Sequence, residues 1–149
     1  MKTMLAGLML FALAACGQAA APTHPGGLRI EAAWASQTPG GVDVSAGYMT
    51  IVNDTDTSDR LMSAASPRAT SVSLHELSMD GPVMQMRMSG PIAIPAHGRV
   101  TLAPGGTHLM FTGVEPPFTE GETIQAQLTF EHAGVVRVQL PVSRSAPAH

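Results

Sequence analysis

Ile124, Ala126, Leu128 and Phe130 alternate with Thr123, Gln125, Gln127 and Thr129, and beyond a Glu131-His132-Ala133-Gly134 turn Val136, Val138 and Leu140 alternate with Arg137 and Gln139. An apolar residue at every second position is the period of a strand with one face in a core and the other in water. Wound into a helix, the same residues would scatter around the axis. Leu28, Ile30, Ala32 and Trp34 carry the same period. Weaker strand signals cover 47–52, 61–65, 71–77, 84–88, 100–102 and 108–113. Between them lie turn formers: Pro39-Gly40-Gly41, Asp80-Gly81-Pro82, Pro95-Ala96-His97-Gly98, Pro104-Gly105-Gly106 and Pro116-Pro117. No segment sustains a helical period. Many short strands with frequent turns predict an all-β antiparallel sandwich or barrel around one core.

The first residues read differently. Lys2 is followed by an uncharged run from Met4 to Ala15, too short to cross a bilayer core of about 30 Å as a helix and matching the apolar region of a secretory signal. The run ends in Leu13-Ala14-Ala15-Cys16, which resembles the bacterial lipobox, whose cysteine is lipidated and becomes the mature N-terminus. The expected organisation is a lipoprotein signal peptide over 1–15, a lipidated Cys16 and flexible tether over 16–27, a β-sandwich domain over 28–142 and a disordered tail over 143–149. The simpler alternative is a soluble periplasmic protein cut after Ala12-Leu13-Ala14. Cys16 is the only cysteine of 149 residues, so no disulfide can form within the chain. A formal net charge of −3 without a basic run, and few aromatics, argue against nucleic-acid binding.

Methionine is abundant, with ten in the chain, four of them between Met79 and Met88. In His108-Leu109-Met110 the imidazole and the thioether, two residues apart on a strand, share a face, while Leu109 turns toward the core. Asp80-Gly81 reads as a two-residue hairpin loop. That register sets His75 across from Met86 and Leu77 across from Met84, with Cβ atoms about 4.5–5.5 Å apart. Pro82 sits awkwardly in it, because proline cannot donate to the ladder. Two imidazoles and two thioethers are soft, neutral donors that suit copper(I) and suit zinc, magnesium or calcium poorly. Thioethers also survive an oxidising compartment in which exposed thiolates would not.

The four positions form H-x10-M-x21-H-x-M, which resembles the signature of the periplasmic copper chaperone family known as PCu(A)C. Further blocks look like the family's: Ala33-Trp34-Ala35, Gly47-Tyr48-Met49-Thr50, Asp59-Arg60-Leu61, His75-Glu76-Leu77, Asp80-Gly81-Pro82-Val83-Met84 and Pro104-Gly105-Gly106. The resemblance implies a cupredoxin-like Greek-key β-sandwich that binds one copper(I) per chain through His75, Met86, His108 and Met110. It also implies delivery to the CuA subunit of cytochrome c oxidase, alone or with a Sco-type copper protein. Many members carry methionine where this chain has Leu77, and some carry a His/Met-rich C-terminal extension, of which this chain has only His149. A monomer is expected, held to the membrane by its N-terminal lipid.

Other readings are weaker. Met79, Met84 and Met88 are available as extra ligands but are expected to pack around or shield the site, Met49 and Met62 would fill the core, and His97 and His132 would be solvated loop residues. His24 and His149 lie in flexible ends, where ligation carries an entropic cost. Glu76 neighbours His75 but faces the other way on a strand, so a surface role is expected. A blue-copper electron carrier needs a cysteine thiolate inside the fold. Copper sequestration without a recipient would use the same ligands. An enzyme is not expected: the chain has no nucleophile elbow, phosphate-binding loop or zinc-type cluster.

Overall fold

A computed structural model describes residues 26–147. The expected signal peptide over 1–15, Cys16, His24 and His149 lie outside the described residues. Those described form ten strands and no helix: β1 (Leu28–Ser36), β2 (Val44–Asn53), β3 (Asp59–Ala65), β4 (Ser71–Asp80), β5 (Val83–Met88), β6 (Ile92–Ile94), β7 (Arg99–Leu102), β8 (His108–Thr112), β9 (Thr123–Phe130) and β10 (Gly134–Ser143).

The strands follow the order β5-β4-β8-β2-β1-β10-β9-β3-β6, and a further pairing of Ala64 on β3 with Val72 on β4 closes the path into a barrel. Three strands share an edge with a neighbour: β5 extends β4, β6 extends β3, and β7 extends β2. Four of the nine connections join paired neighbours (β1–β2, β3–β4, β4–β5 and β9–β10), and the other five pass between strands that do not pair with each other, giving the expected cupredoxin-like all-β architecture. Every pairing is antiparallel except β1 with β10, which run parallel through Ala35–Val142 and Ser36–Ser143. Ordered pairing thus reaches Ser143, and the Arg144 guanidinium then meets Glu120 at 2.9 Å.

The core is built as the alternation requires. Ile124, Ala126, Leu128 and Phe130 of β9 interleave with Val136, Val138, Leu140 and Val142 of β10, all buried. Each large apolar side chain so buried contributes about 1.5–3 kcal/mol of hydrophobic stabilisation. Leu74, Leu109 and Phe111 bring β4 and β8 into the same cluster.

Two expectations need correction. The period of β1 breaks at Ala32, which is exposed with φ of 50°, and the register with β2 shifts between Glu31 and Trp34. This is a β-bulge that turns Trp34 and Ala35 both into buried positions. Met62 is not core: Leu61 faces inward, the pairing of β3 with β9 slips between Leu61 and Ser63, and Met62 faces solvent. Met49 is buried as expected. The short strand β6 gave no signal in the sequence, being a three-residue Ile-Ala-Ile segment paired to β3.

Candidate metal centre

The site is assembled on the outer face of the barrel, where β5, β4, β8 and β2 lie side by side. On β8, Leu109 and Phe111 fill the core, so His108 and Met110 project outward together. On β4, Leu74 is the inward residue and pairs with Leu109, which sets His75 directly opposite His108 and Ser73 opposite Met110. The imidazole rings of His75 and His108 lie 6.1 Å apart, centroid to centroid.

The β4–β5 hairpin differs from its expected register. Asp80 pairs with Val83, so the loop is Gly81-Pro82 rather than Asp80-Gly81. His75 therefore faces Met88, and Met86 faces Leu77. The reason is Pro82: moved into the loop, it needs no ladder N–H. Gly81 supplies the positive φ, 61°, that a primed hairpin turn requires at its first position. Because the partner moves by two residues, Met86 keeps the same face as His75, lying diagonally across from it instead of directly opposite. All four residues singled out by the sequence share this face.

Each imidazole has one nitrogen held by the protein. His108 Nδ1 is 2.9 Å from the Gly106 carbonyl oxygen and donates to it, which leaves Nε2 with a free lone pair. His75 Nε2 is 2.9 Å from the Ser73 hydroxyl, while its Nδ1 is buried with no hydrogen-bond partner. Burial first, and the neighbouring His108 second, lower the His75 pKa below the ordinary imidazole value, favouring the neutral ring that a metal requires. An unpartnered buried ring nitrogen beside a second imidazole and two thioethers fits a soft cation. Among the described residues, no three His, Cys, Asp or Glu side chains converge in a way that could hold a harder one.

Tyr48 extends the row of rings. It stacks against Trp34 at 4.6 Å on one side and approaches His108 at 6.3 Å on the other. Burial, opposed by a hydrogen bond with Ser36, raises its phenol pKa above the usual value. His108 is only 4% exposed, whereas Met86 is 49% exposed. Next to them opens a cavity of about 460 Å³, lined by Tyr48, Leu77, Met86, Pro104, His108 and Met110 among others. His75 lies outside its lining. The site thus has a buried floor and one exposed thioether at its mouth.

The expected bystanders are placed as the sequence suggested. His97 and His132 are exposed in loops, His97 against Asp56 at 2.6 Å. Glu76 faces Arg87 on the opposite side of the hairpin from His75. Sequence reasoning missed Ser73 and the Gly106 carbonyl as partners of the two imidazoles. Ser73 could have been found from strand periodicity alone, being two residues before His75.

A family model described as LpqE-like, a lipoprotein family, matches residues 28–142. The chain belongs to this PCuAC-type family. It is similar to the copper-bound PCuAC domain from PmoF2, at 29% identity and a TM-score of 0.68 over 80% of this chain and 95% of that one. It is similar to the copper(I) form of DR1885 from Deinococcus radiodurans, at 30% identity and a TM-score of 0.64 over 87% of this chain and 84% of that one. It is also 28% identical over 117 residues to Lxx21020 of Leifsonia xyli subsp. xyli, a protein whose name describes it as a lipoprotein, covering 78% of this chain and 69% of that protein. The cupredoxin-like barrel of PCuAC domains is therefore the fold of this chain as well.

Proposed function

We propose that this PCuAC-type protein is an extracytoplasmic copper(I) chaperone. It holds one copper(I) with His75, Met86, His108 and Met110 and passes it on by ligand exchange. The observation that carries the reading is the direct opposition of His75 and His108 on β4 and β8, with Met110 and Met86 on the same face beside an open cavity. The donors are neutral, so a monovalent ion needs no buried carboxylate, and their softness selects copper(I) over divalent ions. The half-exposed Met86 offers a recipient's ligand the first bond to replace, with the oxidation state unchanged throughout. The recipient in this reading is the CuA subunit of cytochrome c oxidase or a Sco-type protein. Membership in a lipoprotein family supports Cys16 as the site of a lipid that keeps the domain at the membrane, on the periplasmic side.

Titration with copper(I) against a competing chelator tests the site. One tight equivalent is expected, much weakened in Met86→Ala and in His108→Ala. Binding unchanged in both variants refutes the assignment. Delivery is tested by mixing the loaded protein with a soluble apo CuA domain under anaerobic conditions and following copper by mass spectrometry. Copper that stays with the chaperone in the presence of both the CuA domain and a Sco-type protein would leave sequestration as the function.

A further inference from the structure

Four methionines decorate one face of the β4–β5 hairpin, and the proposed site uses only one of them. Met79 pairs directly with Met84 at the hairpin tip, and Met84, Met86 and Met88 follow one another at alternate positions along β5. Their exposures are 64% for Met79, 63% for Met84, 49% for Met86 and 77% for Met88. β5 ends the strand order. Edge strands ordinarily carry charge to deter association, and exposed methionine there neither fills a core nor blunts the edge. The charged and amide residues of this hairpin, Glu76, Asp80, Gln85 and Arg87, all alternate onto the other face. What remains on the methionine face is uncharged: Ser73, His75, Leu77 and the four thioethers.

We propose that Met79, Met84 and Met88 form, with Met86, a second and weaker soft-metal site that captures copper(I) at the hairpin tip and leads it to the histidines. The proposal rests on the copper(I) reading above and extends it to the route of entry. Directly opposed Cβ atoms lie about 4.5–5.5 Å apart, so Met79 and Met84 can close on one ion. Successive outward residues on β5 are about 6.8 Å apart at 3.4 Å per residue, a span that two flexible methionine side chains bridge. Met86 belongs to both sets. Copper(I) moves along the ladder by exchanging one neutral thioether for the next, keeping its charge and oxidation state. At Met86 it gains the imidazoles and is held. The deeply buried His108 cannot meet an incoming ion first, whereas the tip thioethers can. Thioethers alone, on a solvated strand with no preorganising shell, bind less tightly than the mixed imidazole set, so the ion runs inward.

The test uses the full chain with methionine methyl groups labelled with carbon-13, titrated with silver(I) as a redox-inert stand-in for copper(I). The first equivalent is expected to shift the Met86 and Met110 methyls. Metal added beyond it shifts Met79 and Met84 in fast exchange. The double variant Met79→Leu/Met84→Leu, which keeps side-chain volume, loses the second phase, retains the first, and loads copper(I) from a chelator several-fold more slowly. Met79 and Met84 methyls that stay unmoved by excess metal, with the first equivalent intact, overturn the ladder and leave the main site standing. Tip methyls that shift while Met110 does not would uphold the thioether site and count against the histidine site. A double variant with unchanged metal titration and loading, but impaired docking to an apo CuA domain, makes the face a protein-docking surface and overturns the proposal.

Discussion

The Ser73 hydroxyl, 2.9 Å from His75 Nε2, fixes the imidazole from the ring edge opposite its unpartnered Nδ1. A ligating histidine is normally steadied in this way by a hydrogen bond to its second nitrogen, which sets tautomer and orientation. Ser73→Ala should therefore keep the one-site stoichiometry and lower copper(I) affinity by about 10–100-fold, read by competition with a chelator. Affinity equal to that of the native protein would show that the barrel alone positions the ring. Asp59 holds a structural role at the same scale. Burial alone would raise its carboxyl pKa, but the backbone N–H groups of His132, Arg60 and Ala133 donate to it and the net shift is downward from 3.8. A depressed folded pKa contributes stability that is full above the unfolded value and is lost as pH falls through the folded one. Stability measured by denaturant should accordingly fall in acid below about pH 4. Asp59→Asn should lose about 1–3 kcal/mol at neutral pH, because one of the N–H groups then faces an amide NH2, and should flatten the acid limb. An acid limb unchanged in the variant would assign it to other carboxylates.

At the scale of elements, Gly47 lets β2 lie against β8. A Cβ there would come within 2.8 Å of the Phe111 ring and 3.4 Å of Leu109 Cβ, and Phe111 is fully buried with its ring edge-on to Phe118 at 5.5 Å. Gly47→Ala should cost about 1–3 kcal/mol by overpacking, seen as a lower urea midpoint, and should disturb the neighbouring Met110 enough to weaken copper(I) binding. A variant of native stability would mean that the Phe111 ring has room to turn. The strands themselves were legible wherever one face is buried: β9 and β10 follow their alternation without exception. Signals failed where a local device overrides the period. Ala32 takes a left-handed conformation that its side chain does not advertise, and the slip after Leu61 turns Met62 outward. Taking Asp-Gly as the loop misplaces the hairpin register by two residues, and Pro82 carries the contrary signal. The His108–Met110 pair was legible from period two alone. Its apposition with His75 was not, because it depends on β4 pairing with β8 across the intervening strands, a non-local contact that no local pattern encodes. Only the family-like spacing joined the two halves.

For the whole molecule, the site straddles parts of the barrel that differ in how firmly they are held. β8 lies between β4 and β2, and His108, Leu109 and Phe111 on it are buried. β5 hangs on β4 alone at the end of the strand order, and five of its six residues are exposed. Local opening free energies follow such differences in burial and pairing, from near zero at edges to the global value in the core. In the proposed site, His75, His108 and Met110 thus come from strands paired on both sides, and Met86 comes from an edge that can open. This division suits a carrier, since a recipient need displace only the donor on the loosely held strand to begin taking the ion. In the metal-free protein, the β5 amides should exchange with solvent much faster than those of β8 and of the His75 end of β4. One equivalent of copper(I) should slow exchange across β5, because a ligand that binds only the closed hairpin stabilises it by mass action, while β8 gains little. Hydrogen exchange followed by NMR with and without copper(I) decides the matter. Protection of β5 equal to that of β8 before metal is added would rule out the hairpin as the moving part. Copper(I) that leaves β5 exchange untouched would remove Met86 from the ligand set.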